Sequence, residues 1–375
     1  MAIYDDLGVR RVLNADARLT RLGGSLMPEA VRRAMDDAAH SYVDLDELHD
    51  AIGQRLADLT RNAAACVTTG AAAGLTLASL ACMTGNNPDA IARPPERIGL
   101  RSSIVYQRPH RIGYLAAVAL SGARLVEIGV EPDVHPAELE AAIDDETAAV
   151  LYVAGSHLSE GALPLEDVVE IAHARGVPMI VDAAAQLPPV SNFWRFTRDL
   201  GADLAIFSGG KDLRGPQASG LVVGRPDLIQ AIRRNGSPNP RLARGMKVGK
   251  EEMAGLLAAV SEYLAMDHEA RLAGFEADVA NWIATLSDAQ GIVAEREFPN
   301  EAGQPMPRCR LTFTGAGATA RRDTVVAKLW EGDPRVAVKA VGDDAISFTP
   351  DTLEPGEAAV VGERIRLACH ATLAE

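Results

Sequence analysis

No run of about 18 apolar residues free of charge occurs in this chain, so it has no helix of the kind that crosses a bilayer. Its start does not combine a basic segment, an apolar core and a small-residue cleavage site, and a soluble cytoplasmic protein with no membrane partner is the expectation. Basic residues are in deficit, with 37 Lys and Arg against 51 Asp and Glu and a formal net charge of -14. A field of that sign opposes a phosphate backbone and argues against nucleic acid as a partner. Any anionic substrate has to be drawn in by a few placed basic groups. Cysteine is scarce: Cys66, Cys82, Cys309 and Cys369 are widely separated, which excludes a disulfide framework. Neither an H-E-x-x-H nor a C-x-x-C motif occurs, and His110, His157 and His173 form no ligand-spaced pairs, so no metal is expected. Repeats and low-complexity tracts are also missing.

What remains is globular composition, 47% hydrophobic and 23% charged over 375 residues, enough for a substantial core. The first 40 residues are turn-rich and lead to a helical region from Pro28 to Thr60 with apolar residues at three-to-four spacing. Short apolar runs then alternate with helical ones: "SSIVYQ", "ARLVEIG", "TAAVLYVAG", "VPMIVDAAA" and "ADLAIFSGGK" read as strands, and "PLEDVVEIAHARG" as an amphipathic helix. Continuous apolar strands between helices predict an α/β fold with a mostly parallel central sheet covered on both faces. A Pro/Arg/Gly stretch before residue 250 leads to one long helical segment and then to a smaller C-terminal α/β domain. The predicted organisation is an N-terminal segment, 1–40, packing on the small domain; a large domain, 41–250; and a small domain, 251–375.

Three features fall at the C-terminal ends of predicted strands, where open α/β sheets place ligands. "TTGAAAG", Thr68 to Gly74, offers hydroxyls and free amides at a helix start, which suits a phosphate but also plain packing. Asp182 ends an apolar strand and needs a cationic or hydrogen-bonding partner, or caps the next helix. Lys211, in "FSGGKDLRGPQASG", is a salt-bridge residue or a chemically used amine. Together they supply the requirements of pyridoxal 5'-phosphate: a phosphate cradle, a carboxylate for the pyridine nitrogen and a Schiff-base lysine. Ser208 stands to add a hydroxyl to the cradle, and the two glycines before Lys211 leave room for the ring to move.

The segments "VLNADARLTRLGGSLM" (12–27), 41–83, "QRPHRIGY" (107–114), "VPMIVDAAAQLPP" (177–189), "FSGGKDLRGPQASGLVVGR" (207–225) and 244–264 carry a resemblance over nearly the whole chain. The sequence resembles the selenocysteine-synthase-related family of pyridoxal-phosphate enzymes, of the aspartate aminotransferase fold (fold type I), which includes D-glucosaminate-6-phosphate ammonia-lyase. The resemblance implies Lys211 as the cofactor lysine, Asp182 as the pyridine partner, and Thr68, Thr69, Gly70, Ala71 and Ser208 around the phosphate. It puts His110 over the cofactor ring, as a candidate proton donor, and leaves Gln186 between a cofactor contact and packing. Arg21, Arg214, Arg244, Arg308 and Arg335 are the candidate anchors for substrate anions. The implied activity is a lyase that removes water or ammonia from a 2-amino-3-hydroxy acid, an amino-sugar acid or its phosphate, to give a 2-oxo acid. Aldol cleavage or racemisation of a small amino acid is the alternative, and a non-enzymatic binding module the third. True selenocysteine synthases carry an extra N-terminal region used with tRNA, whereas this sequence begins almost directly at the catalytic module, so tRNA is not an expected partner. A homo-oligomer with active sites near a subunit interface is also implied.

Overall fold

A computed structural model describes residues 3–96, 98–130 and 132–373. The chain divides into two compact units. The larger comprises 27–266 together with 301–303; the smaller comprises the residues before 27, 267–300 and those from 304 onward.

The larger unit is built on a seven-stranded mixed sheet. Its strands in chain order are Ala64–Thr68 (β1), Ser103–Gln107 (β2), Arg124–Ile128 (β3), Thr147–Val153 (β4), Met179–Asp182 (β5), Leu204–Ser208 (β6) and Gly220–Gly224 (β7). In space they run β1-β7-β6-β5-β4-β2-β3, and only β7 is reversed, pairing antiparallel with β1 and β6. Side chains alternate between two apolar layers. Val67, Val105, Val150, Val181 and Phe207 face one layer, and their neighbours Cys66, Ile104, Leu151, Ile180 and Ile206 face the other. Burial on both faces explains why these strands read as unbroken apolar runs.

The helical region after Pro28 is two helices, Glu29–Ala39 (α1) and Leu45–Thr60 (α2), because Asp44 caps the second by accepting from the amides of Asp46 and Glu47 at 2.9 and 3.0 Å. The next long helix, Ala71–Thr84 (α3), is almost wholly buried, as a composition of small and apolar residues without a single charge requires. The long segment after residue 250 is also two helices. Lys250–Ala265 (α4) packs on α1 and α2 within the larger unit, and Asp267 caps the following helix, His268–Leu286, by accepting from Ala270 N at 2.9 Å. The division placed from sequence at residues 40 and 250 therefore lies after Leu26 and Met266.

The smaller unit has a four-stranded antiparallel sheet, Lys339–Val341, Ala345–Phe348, Arg308–Phe313 and Ile292–Glu297 in spatial order. Val12–Asn14 pairs in parallel with Arg335–Ala337, which ties the start of the chain to this unit. Trp282 fills its core, 4.8 Å from Phe348 between ring centroids, with its indole N–H donated to the Ala358 carbonyl at 2.7 Å.

Candidate active site

Strand register brings the sequence-separated candidates to one edge. Thr68, Gly220 and Ser208 stand side by side across β1, β7 and β6. Two residues further in, Val153, Asp182 and Ile206 form a second row across β4, β5 and β6. This is the C-terminal edge of the parallel strands, where open α/β sheets hold their ligands.

The edge ends in an open helix start. Gly70 caps α3 at φ +87 and offers no side-chain cap, so the amides of the first turn have no side-chain acceptor there. Thr68 shapes the turn: its carbonyl accepts from Gly70 N at 2.9 Å, and its hydroxyl donates to the Gly70 carbonyl at 3.0 Å. Gly220 lies directly beneath; a Cβ on it would come within 2.5 Å of the Gly70 carbonyl carbon and 2.8 Å of Ala71 N. The hydroxyls of Thr69 and Ser208 have no hydrogen-bond partner among the described residues. Uncapped amides, two hydroxyls and backbone free of Cβ atoms form the donor set a phosphate needs.

Asp182 is 6% exposed and accepts from Ala184 N at 3.0 Å. Burial pushes its carboxyl above the ordinary range, opposed by that amide and by the Lys211 ammonium. Burial pushes the Lys211 amine below its ordinary value, opposed by Asp182. Each group is thus the charge the other responds to, and a cationic ring nitrogen beside Asp182 would offset the cost of its burial.

The glycines around Lys211 let the backbone of this turn pack closely on itself. The turn from 209 to 220 folds back on itself: Gly215 N bonds Gly209 O at 2.8 Å, and Gly209 N bonds Ser219 O at 2.9 Å. A Cβ on Gly209 would meet Ser219 Oγ at 2.0 Å, and one on Gly210 would meet Gln217 Cα at 2.6 Å. Arg214 sits in this turn at φ +54, a conformation that strains a non-glycine residue and persists only when its surroundings hold it.

His110 follows β2 and is fully buried. Its Nδ1 accepts from Val153 N at 3.4 Å, its ring meets Tyr152 edge-on with centroids 4.3 Å apart, and its Nε2 has no partner. Burial pushes its pKa down to about 4. The imidazole is neutral at pH 7, and with Nδ1 accepting, Nε2 carries the proton and is a donor awaiting an acceptor.

The remaining candidates are engaged in other ways. Gln186 donates its amide to the carbonyls of Ala154 and Ala302 at 3.1 and 3.4 Å, which favours packing over a cofactor contact. The Ala302 contact belongs to a docked tip, Glu301–Gly303, whose carbonyls also accept from the amides of Ser156 and His157 and from His157 Nδ1. His173 bonds Asp203 at 2.9 Å. Arg244 is exposed, and its guanidinium has no partner among the described residues. In the smaller unit Arg21 pairs with Asp16 at 2.9 Å, Arg308 donates to the Asp16 carbonyl, and Arg335 lies over the Trp330 ring at 4.4 Å while donating to that residue's carbonyl. Asp212 and Tyr263, hydrogen-bonded at 2.6 Å and buried, were not anticipated. Only the apolar setting of "KDL" hints at Asp212, and no local signal marks Tyr263.

A buried aspartate and a half-buried lysine that feel each other's charge, beside an open helix start on the ligand edge of a mostly parallel sheet, define a pyridoxal-phosphate enzyme of fold type I. Comparison with known proteins narrows this. The model of the family SelA: L-seryl-tRNA selenium transferase matches residues 13–274, and the chain belongs to that family. It is similar to 5'-C-glycyluridine monooxygenase-decarboxylase from a Streptomyces species, at 36% identity covering 96% of this chain and 90% of the relative. It is also similar to D-glucosaminate-6-phosphate ammonia lyase from Salmonella typhimurium, at 32% identity covering 98% of each. A solved structure of D-glucosaminate-6-phosphate ammonia-lyase superposes with a TM-score of 0.86 at 30% identity, covering 100% of this chain and 99% of that one. No helix among the described residues is long and apolar enough to cross a membrane.

Proposed function

We propose that the protein is a pyridoxal-phosphate lyase that takes a small anionic 2-amino-3-hydroxy acid, an amino-sugar acid or its phosphate, to a 2-oxo acid and ammonia. The observation that carries this reading is the Asp182–Lys211 pair at the sheet edge, in a chain alignable end to end with an ammonia-lyase. When bound, the cofactor supplies a carbonyl for the substrate amine and an electron sink for the Cα carbanion. Thr69, Ser208 and the first-turn amides of α3 hold its phosphate, and Asp182 holds its ring nitrogen in the protonated form. Lys211 Nζ, biased toward the neutral amine by burial, takes the proton from the substrate Cα. Loss of the β-hydroxyl as water leaves an enamine, which adds water and releases ammonia. His110, held neutral, contributes an Nε2–H hydrogen bond rather than an imidazolium proton.

Arg214 and Arg244, in the larger unit with Asp182 and Lys211, are the groups from which the substrate anion draws its partners. The protein works as a soluble cytoplasmic homo-oligomer with active sites near a subunit interface, which sedimentation of the native protein tests.

A second reading, oxidative decarboxylation of an amino acid carried on a nucleoside, is favoured by the 36% identity to the glycyluridine enzyme. Incubation with D-glucosaminate 6-phosphate and, separately, 5'-C-glycyluridine separates the two. Equimolar 2-oxo acid and ammonia support elimination, whereas oxygen uptake with carbon dioxide release supports the second reading. An aldehyde plus an amino acid, or an enantiomer, would replace both with aldol cleavage or racemisation.

A further inference from the structure

One face of α4 backs the Lys211 turn along its length. A Cβ on Gly255 would lie 2.7 Å from Pro216 Cγ, one on Gly209 would lie 2.8 Å from Leu256 Cδ1, and one on Gly215 would lie 3.2 Å from the Ala259 Cβ. Gly255, Leu256, Ala259 and Tyr263 follow at the spacing that keeps residues on one side of a helix. At the end of this face the Tyr263 hydroxyl donates to Asp212 Oδ2 at 2.6 Å.

Both partners are buried, Asp212 at 2% and Tyr263 at 1% exposure, and Tyr263 meets the Phe193 ring edge-on at 6.0 Å. A carboxylate in such a setting depends on its hydrogen bonds, and an O–H to carboxylate bond of this length belongs to the strong class. Asp212 is the residue next to Lys211, in a turn already strained at Arg214.

We propose that Tyr263 is a positioning residue: by hydrogen-bonding Asp212 it pins the turn to α4 and fixes where the Lys211 amine stands at the sheet edge. The proposal rests on Lys211 being the cofactor lysine. A purely structural tyrosine would affect melting alone, whereas a positioning tyrosine also affects the reactivity of its neighbour's amine.

The test compares the wild type with Tyr263→Phe, Asp212→Asn, the double variant, and Phe193→Leu as a packing control. Brief acetic anhydride labelling of apo protein over a pH series, read by mass on the Lys211 peptide, reports the lysine directly. Pyridoxal phosphate titration gives affinity, and borohydride reduction locates the linkage. Tyr263→Phe is expected to raise the midpoint pH of Lys211 labelling, since a loosened turn admits water, and to weaken cofactor affinity about tenfold. In that background Asp212→Asn is expected to add little further loss, because the bond the two residues share is already gone. Phe193→Leu lowers the melting temperature and leaves the labelling profile in place. A Tyr263→Phe protein that melts earlier but keeps the wild-type profile and affinity overturns the proposal. If that variant does not fold, Asp212→Ala decides, since it removes the acceptor of the Tyr263 hydroxyl: a raised labelling midpoint, against the fall that loss of a neighbouring carboxylate alone gives, supports the proposal, and a midpoint that falls or stays overturns it. Reduction that puts the cofactor elsewhere than Lys211 in the wild type overturns the assignment of the lysine and this inference with it.

Discussion

The central sheet has a buried aspartate at each end, and the two are treated oppositely. Asp182 at the C-terminal edge and Asp203 at the other are almost equally buried, at 6% and 8% exposure. Asp203 accepts from Met179 N at 2.7 Å, His173 Nε2 at 2.9 Å and Arg225 at 2.7 Å. Asp182 accepts one hydrogen bond among the described residues, from Ala184 N, and its carboxyl is pushed up by burial. Burial alone therefore does not single out Asp182 for the role proposed for it; its unfinished set of donors does. Strand β7 repeats the contrast. Its first glycine, Gly220, makes room for the helix start, and its last, Gly224, lies against the Asp203 carbonyl, which a Cβ would meet at 2.0 Å.

The largest effect expected is at the reactive edge. Lys211→Ala should lower kcat by roughly a thousandfold or more with little change in melting temperature, as steady-state kinetics and calorimetry would show. Exchanging the aspartates should separate function from stability. Asp182→Asn is expected to cost roughly a hundredfold in kcat without destabilising the apo protein. Asp203→Asn should cost about 3 kcal/mol in urea unfolding, because Arg225 and His173 lose their shared acceptor, with kcat per folded molecule retained. Equal stability losses in the two variants would erase the contrast.

The glycines of β7 give a smaller version of the same separation. Gly220→Ala should weaken cofactor binding about tenfold by displacing the Gly70–Ala71 peptide, while Gly224→Ala should lower stability by about 1–3 kcal/mol and leave cofactor affinity near the wild-type value.

The pH dependence of apo-protein stability sharpens the comparison further. For Lys211, folded below its ordinary pKa, the unfolded chain holds the extra proton between the two values, so stability rises with pH there. For Asp182, folded above its ordinary pKa, the native state holds the extra proton, and stability falls as pH rises through that window. Asp182→Asn should remove the falling slope in urea titrations at successive pH values. His110 and His49, both lowered from 6.5 to about 4 chiefly by burial, make stability fall as pH drops from 6.5 to about 4. His110→Gln should recover roughly 3 kcal/mol of that loss at most.

The parallel strands were legible because burial on both faces leaves no polar alternation to obscure an apolar run. Asp182 and Lys211 were legible for the same reason, as charges that interrupt or follow such runs. The helix breaks before Leu45 and His268 were missed because a single capping aspartate, Asp44 or Asp267, sits among other acidic residues and looks like part of a polar face. The reversal of β7 left no mark, since strand direction is set by pairing and not by composition. Arginine roles stayed open because Arg308 and Arg335 bond backbone carbonyls, which any sequence provides. Tyr263 was invisible because its partner lies 51 residues away in the chain.

The docked tip at Glu301–Gly303 has a consequence for synthesis. A nascent chain that has emerged as far as Met266 already contains all seven strands of the large sheet. It does not yet contain the two carbonyls that take the amides of Ser156 and His157 and the side chain of Gln186, in the loops that follow β4 and β5. The ribosome must add nearly forty more residues before that rim can be completed, so this part of the reactive edge closes only after the sheet beneath it can form.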